Sequence, residues 1–194
     1  AFGDVVRQAS SPWGEPSGIG GDSNTIWHCD DDTEKVYELS TTDFSIVRQA
    51  GSPEVGPLGI GGDSNTIWHC DWNIYKVYEL SITDFSVVRE ASSPSTAPSG
   101  IGGDSNTIWH NDNSVAKVYE LSTTDFSVIR EASSPSTLPL GIGGDSNTIW
   151  HCDWNIYKVY ELSTTDFSVV REASIPGTGP TGIGGDSNTI CIVL

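Results

Sequence analysis

The residue types best suited to metal or acid–base chemistry occur at repeated positions, not in one cluster. The four histidines lie 41 residues apart, at His28, His69, His110 and His151. Cysteine follows each of them directly except His110. Neighbouring residues on a strand point to opposite faces, so a His and the Cys after it cannot share one metal site. We therefore predict structural histidines, each hydrogen-bonded to Ser and Asp between neighbouring units.

Carboxylates form two further candidate sites. The densest acidic cluster offers Asp30, Asp32 and Glu34 as oxygen ligands of the kind that calcium takes. Its spacing lacks the frame of a full calcium loop, and a solvated acidic loop is the alternative interpretation. The second set could hold a cation at a channel mouth or merely cap turns: Asp22, Asp63, Asp104, Asp145 and Asp186. Calcium or another cation is thus a candidate ligand, and no cofactor is required.

Two loops carry aromatic pairs that are candidates for ligand binding. Trp72 and Tyr75 occupy the same unit positions as Trp154 and Tyr157. Exposed Trp and Tyr rings make flat apolar platforms suited to a sugar or a protein partner. The alternative is that the rings fold back onto the edge of the neighbouring unit.

A repeated unit must position all of these residues. The stretch GIGGDSNTI begins every 41 residues, at Gly18, Gly59, Gly100, Gly141 and Gly182. Turn residues divide each full unit into four short strand-like segments, and no stretch has helical apolar periodicity. Such a period is typical of propellers, with the Gly-rich strand innermost, where glycine lets backbones approach closely. We predict an all-β, five-bladed β-propeller with four antiparallel strands per blade.

We predict a single domain over residues 1–194, whose last blade is composite. Full units span 18–58, 59–99, 100–140 and 141–181, and 182–194 combine with 1–17. Residues 5–9 match the fourth-strand segment one period later, so we expect them to complete the last blade and close the ring with three strands. The KVYELS strand has no counterpart there. The chain is then a monomer, or a dimer that forms through the edge of this incomplete blade.

Loop variability distinguishes the two faces of the predicted ring. Loops after strands one and three share one face, and their sequences barely change. Loops after strands two and four share the other, which we call the variable face, and they differ from unit to unit. Drift in unconstrained loops and a diversified binding face both explain this difference.

The motifs P-x-G-I, D-S-N-T-I-W-x-x-D and K-V-Y-E-L resemble the NHL-type propeller repeat and the repeats of virginiamycin B lyase and gluconolactonase-like propellers. The resemblance extends over every unit. It implies architecture, because propellers of this kind serve as enzymes, ligand binders and scaffolds alike.

Charge and composition limit the classes of partner. The net charge is −17, from 26 acidic and 9 basic residues without a basic patch, which predicts no nucleic-acid partner. No apolar run is long enough to span a membrane. The final residues, Cys191–Leu194, read either as a weak prenylation motif or as a strand of the last blade. Cysteines expected to be unpaired and the lack of an evident signal peptide weakly favour the cytoplasm, and localisation otherwise stays open.

Three functional hypotheses follow. An enzyme needs an asymmetric set of groups, whereas nearly every titratable residue here is copied from unit to unit, and no catalytic triad order or zinc-protease motif occurs. The leading hypothesis is a non-enzymatic binding or scaffold propeller with a glycan or protein ligand on the variable face. The second is a lyase- or lactonase-like enzyme with a cation in the acidic centre. The third is a recently amplified or engineered repeat with no retained ligand.

Overall fold

The computed structural model describes residues 2, 4–175, 179–188 and 190–194. The regular structure in these ranges is β-strand throughout, with no helix and hence none able to cross a membrane. The all-β prediction is therefore confirmed. The predicted composite blade includes residues 1, 3 and 189, which lie outside the described residues.

The strands form four antiparallel sheets of four and one sheet of two. The first blade comprises β1 (Pro16–Gly21), β2 (Ile26–Asp30), β3 (Lys35–Leu39) and β4 (Ile46–Gly51). The second comprises β5 (Pro57–Gly62), β6 (Ile67–Asp71), β7 (Lys76–Leu80) and β8 (Val87–Ser92). The third comprises β9 (Pro98–Gly103), β10 (Ile108–Asp112), β11 (Lys117–Leu121) and β12 (Val128–Ser133). The fourth comprises β13 (Pro139–Gly144), β14 (Ile149–Asp153), β15 (Lys158–Leu162) and β16 (Val169–Ser174). The fifth sheet comprises β17 (Gly182–Gly185) and β18 (Ile190–Val193).

The hydrophobic core lies between blades. Successive side chains of a strand point to opposite faces, so each blade contributes one set of residues to each neighbour. Trp27 and Cys29 of the first blade pack against Ile67 and Tyr78 of the second. The equivalent layer recurs between the second and third and between the third and fourth blades. Similar layers join the fifth sheet to the fourth blade and to the first.

Glycine lets the innermost strands meet at the axis. A Cβ placed on Gly20 would lie 2.6 Å from the Cα of Gly61, and a Cβ on Gly184 would lie 2.6 Å from the Cα of Gly20. The intervening copies make the same approach at 2.9 Å, from Gly61 to Gly102, from Gly102 to Gly143 and from Gly143 to Gly184. No side chain fits at these distances, so the five inner strands form a closed ring only because this position is glycine.

The prediction of a three-stranded last blade is wrong for the described residues. Residues 4–15 contain no strand, and the fifth sheet has two strands. The physical reason is the missing third strand, because an outer segment can extend the ladder only through it. The four-stranded antiparallel blades themselves are confirmed in units one to four.

Candidate functional site

An open cleft lies on the variable face between the first and second blades. Its volume is about 260 Å³. Three loops form it, namely the β2–β3 loop, the β4–β5 connection and the β6–β7 loop, and they contribute Asp31, Glu34, Val55, Gly56, Trp72 and Asn73.

The β6–β7 loop displays both predicted aromatic residues of the second blade. Asp71 ends β6, and its Oδ1 accepts hydrogen bonds from the backbone N–H groups of Asn73 at 2.8 Å and Ile74 at 3.1 Å. Tyr75 completes the reversal with a left-handed φ of 58°. This turn leaves Trp72 and Tyr75 each 46% exposed at the rim. Tyrosine is an unfavourable residue at positive φ, because its Cβ crowds the backbone.

Trp72 crosses the cleft towards the first blade. Its indole lies near the Asp31 carboxylate and partly offsets the rise in the pKa of that group. Its Nε1 also lies where a side chain at Gly56 would begin, 2.9 Å from a Cβ placed there. The sequence offered one sign of this contact, since Gly56 stands where the third and fourth units have Ala97 and Leu138.

The cleft is strongly acidic. The pKa of Asp31 is raised, chiefly by burial and further by the charges of Glu15, Asp30 and Glu34. The pKa of Asp71, beneath Trp72, is also raised by burial. The Oδ2 of Asp71 is buried without a hydrogen-bond partner among the described residues. In the equivalent carboxylates of the other blades this oxygen accepts a backbone N–H from Glu15, Ala97 or Leu138.

The second predicted aromatic pair is not brought to this cleft. Trp154 and Tyr157 lie in the β14–β15 loop of the fourth blade and are 46% and 41% exposed. Trp154 packs on Gly179 in the connection to the fifth sheet, where a Cβ would lie 2.7 Å from its Nε1. Each indole thus covers a glycine in a connection between sheets, Trp72 in the connection before its blade and Trp154 in the connection after it.

The predicted acidic loop ligands are partly engaged in the local turn. Asp30 accepts a hydrogen bond from the N–H of Thr33 at 2.9 Å and another from the N–H of Glu15 at 3.2 Å. Asp32 and Glu34 are exposed, and Glu34 occupies the left-handed position of the loop with φ 53°. Over the ranges that the structure describes, no three His, Cys, Asp or Glu residues are close enough to hold a metal ion together.

The five equivalent aspartates bind backbone groups on the opposite face. Asp22 Oδ1 accepts the N–H groups of Asn24 and Thr25, both at 2.8 Å. The second oxygen reaches the next unit, as where Asp186 Oδ2 accepts the N–H of Ser23 at 3.2 Å. The same bond joins Ser105 to Asp63 and Ser146 to Asp104. Asp145 likewise caps its own turn. Asp63, Asp104 and Asp186 therefore link neighbouring units.

The histidines lie buried between blades. His69 Nδ1 lies 2.8 Å from the Gly59 carbonyl, and its Nε2 lies 3.1 Å from Ser52 Oγ. A carbonyl only accepts, so Nδ1 carries the proton and Nε2 accepts from the hydroxyl. The predicted Ser partner is confirmed and recurs for His28, His110 and His151. The predicted Asp partner is wrong, because a Gly carbonyl takes its place for His28, His69 and His110.

The axis offers little room for chemistry. Its cavity holds about 10 Å³, and the glycine-rich inner strands line it, together with residues such as Ile60 and Ser99. That is about the space of one water molecule. The lining within the described chain contains no carboxylate.

Solved structures share this fold, and the chain is a β-propeller. Virginiamycin B lyase from Staphylococcus aureus is 20% identical with a TM-score of 0.60, and the match covers 92% of this chain and 62% of the lyase. Myxococcus xanthus glutaminyl cyclase is 12% identical with a TM-score of 0.72, covering 92% of this chain and 88% of the cyclase. A nidogen/laminin complex gives 18% identity, a TM-score of 0.65 and coverage of 94% and 70%.

These matches confirm the resemblance to the lyase-like and NHL-type propellers. A scan against models of known protein families finds no match, and neither does a comparison with curated proteins. At these identities the likeness concerns the fold alone, and the chain spans 62% of the length of the lyase. Function must therefore be argued from the surface of this chain.

Proposed function

We propose that the chain is a non-enzymatic binding propeller whose ligand, a glycan or a protein segment, occupies the cleft between the first and second blades. The observation that carries this proposal is the half-exposed indole of Trp72 beside the Asp31 and Glu34 carboxylates in an open cleft of about 260 Å³. The ring provides a stacking surface, and the carboxylates accept hydrogen bonds from hydroxyl or amine groups. Tyr75 extends the platform at the rim, and Trp154 with Tyr157 is a second, separate contact.

The two tryptophans supply a matched test, because they have the same unit position and the same exposure of 46%. We expect a glycan array or peptide library to yield a ligand. Trp72→Ala should bind this ligand at least about tenfold more weakly than the parent protein does, because the variant loses one stacking contact and its desolvated partners. Trp154→Ala should bind within about twofold of the parent protein, since it lies outside the cleft. Equal losses in both variants, or in neither, would contradict the proposed location.

A cation in the same cleft is a second candidate ligand. The pKa of Asp31 is raised first by burial and then by the charges of Glu15, Asp30 and Glu34, and a bound cation would relieve that repulsion. Calcium should then raise the melting temperature and a chelator should lower it, and Glu34→Gln should abolish both shifts. A melting temperature unaffected by calcium and chelator speaks against this candidate and also against a cation held by the Asp22-type residues.

A lyase- or lactonase-like activity has less support. The axial cavity of about 10 Å³ admits no substrate, and the four histidines are buried. The blade copies offer no asymmetric catalytic set either. The third hypothesis, an amplified repeat without a ligand, predicts that no glycan or peptide binds at the Trp72 cleft.

We also propose that the fifth sheet and residues 1–17 together act as the fifth blade. Three contacts support it, and those of Arg7 and Ser11 repeat contacts of complete blades. Arg7 donates to the Thr42 carbonyl at 3.1 Å, and Phe2 stacks on Trp150 with ring centroids 5.7 Å apart. Ser11 reaches His28 as Ser52 reaches His69. Deleting residues 1–9 should therefore lower the melting temperature by several degrees.

A further inference from the structure

The cleft between the first and second blades is lined by carboxylates and by no basic side chain of the described residues. Asp31 and Glu34 lie on its first-blade wall, and Trp72 lies on its second-blade wall. The lysines that follow the two loops, Lys35 and Lys76, place their ammonium groups on side chains of the outer strands β4 and β8. The negative charge of the cleft is therefore left to a ligand to balance.

A buried carboxylate is directed at the same cleft. Asp71 is fully buried, and its Oδ2 has no hydrogen-bond partner among the described residues. In the first, third and fourth blades the equivalent oxygen accepts the N–H of the residue that corresponds to Gly56. Gly56 instead has a left-handed φ of 99° and lines the cleft, so the unpartnered oxygen faces the cleft wall. Burial raises the pKa of Asp71, and the charges of Glu54 and Asp31 raise it further.

An apolar surface accompanies this charge. Trp72 is 46% exposed, and Val55, which also lines the cleft, is 45% exposed. The face of an indole ring attracts an organic cation through its quadrupole. A lysine side chain combines such a cation with a methylene stem that covers apolar surface. Carboxylates on different sides of a space suit the three diverging N–H donors of an ammonium group better than the planar fork of a guanidinium group.

The fourth blade carries the same tryptophan without the charge. Trp154 is also 46% exposed. In the loop of the blade before it, Asn113 and Ala116 stand where the first blade has Asp31 and Glu34. The chain thus contains one indole beside carboxylates and a matched one beside neutral residues.

We propose that the cleft at Trp72 binds the ammonium group of a lysine side chain presented by a partner protein. The proposal rests on the binding role proposed above for this cleft and names the chemistry of its ligand. The lysine stem packs on Trp72 and Val55, and the ammonium group lies between Asp31 and Glu34. The Asp71 carboxylate beneath adds to the negative potential that the ammonium group meets.

The test is an NMR titration of the full chain at physiological ionic strength. The probe is a heptapeptide of glycine and serine with one central lysine. It should shift the indole N–H resonance of Trp72 saturably and leave that of Trp154 unchanged. The same peptide with norleucine, which has the stem but no charge, should bind at least about tenfold more weakly, and the arginine form at least about threefold more weakly.

Variants locate the contact. Trp72→Ala and Glu34→Gln should each weaken the lysine peptide at least about fivefold, because one loses the ring and the other a carboxylate. Asp32→Asn removes an exposed charge from the same loop but outside the lining, so its affinity should stay within about twofold of the parent protein. Trp154→Ala should also stay within about twofold.

The outcomes separate this proposal from the binding role on which it rests. Equal affinity for the lysine and norleucine peptides, or a glycan that binds at Trp72 while the lysine peptide does not, would overturn the lysine assignment and leave the binding cleft standing. Affinity that falls as much in Asp32→Asn as in Glu34→Gln, or not at all in Trp72→Ala, would indicate general attraction to an acidic surface and would also overturn it. A cleft that binds neither lysine peptide, glycan nor any library peptide would overturn both.

Discussion

Each histidine between blades is held neutral by its surroundings. Burial lowers the pKa of His69, His110 and His151 to about 4, because the imidazolium form would lose its hydration. The pKa of His28 is lowered for the same reason. The residues that most resembled catalytic groups in the sequence therefore contribute to stability and to its pH dependence.

We expect stability to fall as the pH drops from 6.5 towards 4. The unfolded chain takes up a proton on each histidine near pH 6.5, and the folded chain does so only near pH 4, so acid favours unfolding within this window. The contribution is complete above pH 6.5, and each histidine costs up to about 1.4 kcal/mol per pH unit below it. Urea unfolding across this range measures it. Asp31 and Asp71, whose pKa values are raised, oppose the trend, and a flat profile would show that they cancel it.

The chain itself suggests how to replace a Ser–His pair. Ile175 and Ile192 occupy the positions of Ser134 and His151 one unit later, and they pack in one apolar cluster. We expect His69→Ile to lose about 1–3 kcal/mol, because Ser52 and the Gly59 carbonyl lose their partner. Ser52→Ile/His69→Ile should recover part of that loss and show a shallower pH dependence. Urea unfolding of both variants checks this, and a double variant no more stable than His69→Ile would contradict it.

The outer strand of each blade is fastened to the next blade by one arginine. Arg89 pairs with Glu79, donates to the carbonyls of Thr123 and Thr124 and lies 4.6 Å from the Phe126 ring centroid. Phe126 itself has a left-handed φ of 61° and is 5% exposed, so packing of the ring outweighs an unfavourable backbone conformation.

Arg89→Lys should destabilise the protein by about 1–2 kcal/mol, since an ammonium group cannot reproduce the fork of hydrogen bonds or the stacking on the ring. Denaturant titration measures the change. Arg7→Lys is the matched control, because its described contacts lack the carboxylate, and it should cost less than about 0.5 kcal/mol. Comparable losses in the two variants would show that the carboxylate and the second carbonyl contribute little.

Strand order, the glycine axis and the faces of the blades could be predicted from the repeat, because each depends on local pattern alone. The orientations of the Trp72 and Trp154 side chains could not be predicted, because each ring packs on a glycine in a separate loop, Gly56 or Gly179. The fifth sheet has two strands where three were predicted, and this difference also depends on contacts outside the local sequence. A segment with strand-like sequence, such as residues 5–9, pairs only where a neighbouring strand offers its edge.

Closure of the ring should be measurable through thiol reactivity. Burial raises the pKa of Cys29 and Cys152 to about 12 and that of Cys191 to about 11. Only Cys191 is partly exposed, so it should react with an alkylating reagent at least about tenfold faster than the others in the native protein. Mass spectrometry identifies the modified site, and urea should expose all four. Modification of Cys29 at a similar rate would indicate that the blades separate throughout the ring.

The Ile175–Ile192 pair also affects which of the nearly identical repeat units can pack beside one another. At four of the five contacts between neighbouring units, which we call joints, a serine is hydrogen-bonded to a histidine. A unit shifted by one place would therefore still find its Ser or His partner at any of these four. At the remaining joint a histidine would face isoleucine, and its ring nitrogen would lose the hydroxyl partner at a cost of about 1–3 kcal/mol. This one contact therefore distinguishes the place where the fourth blade meets the fifth sheet from the other four.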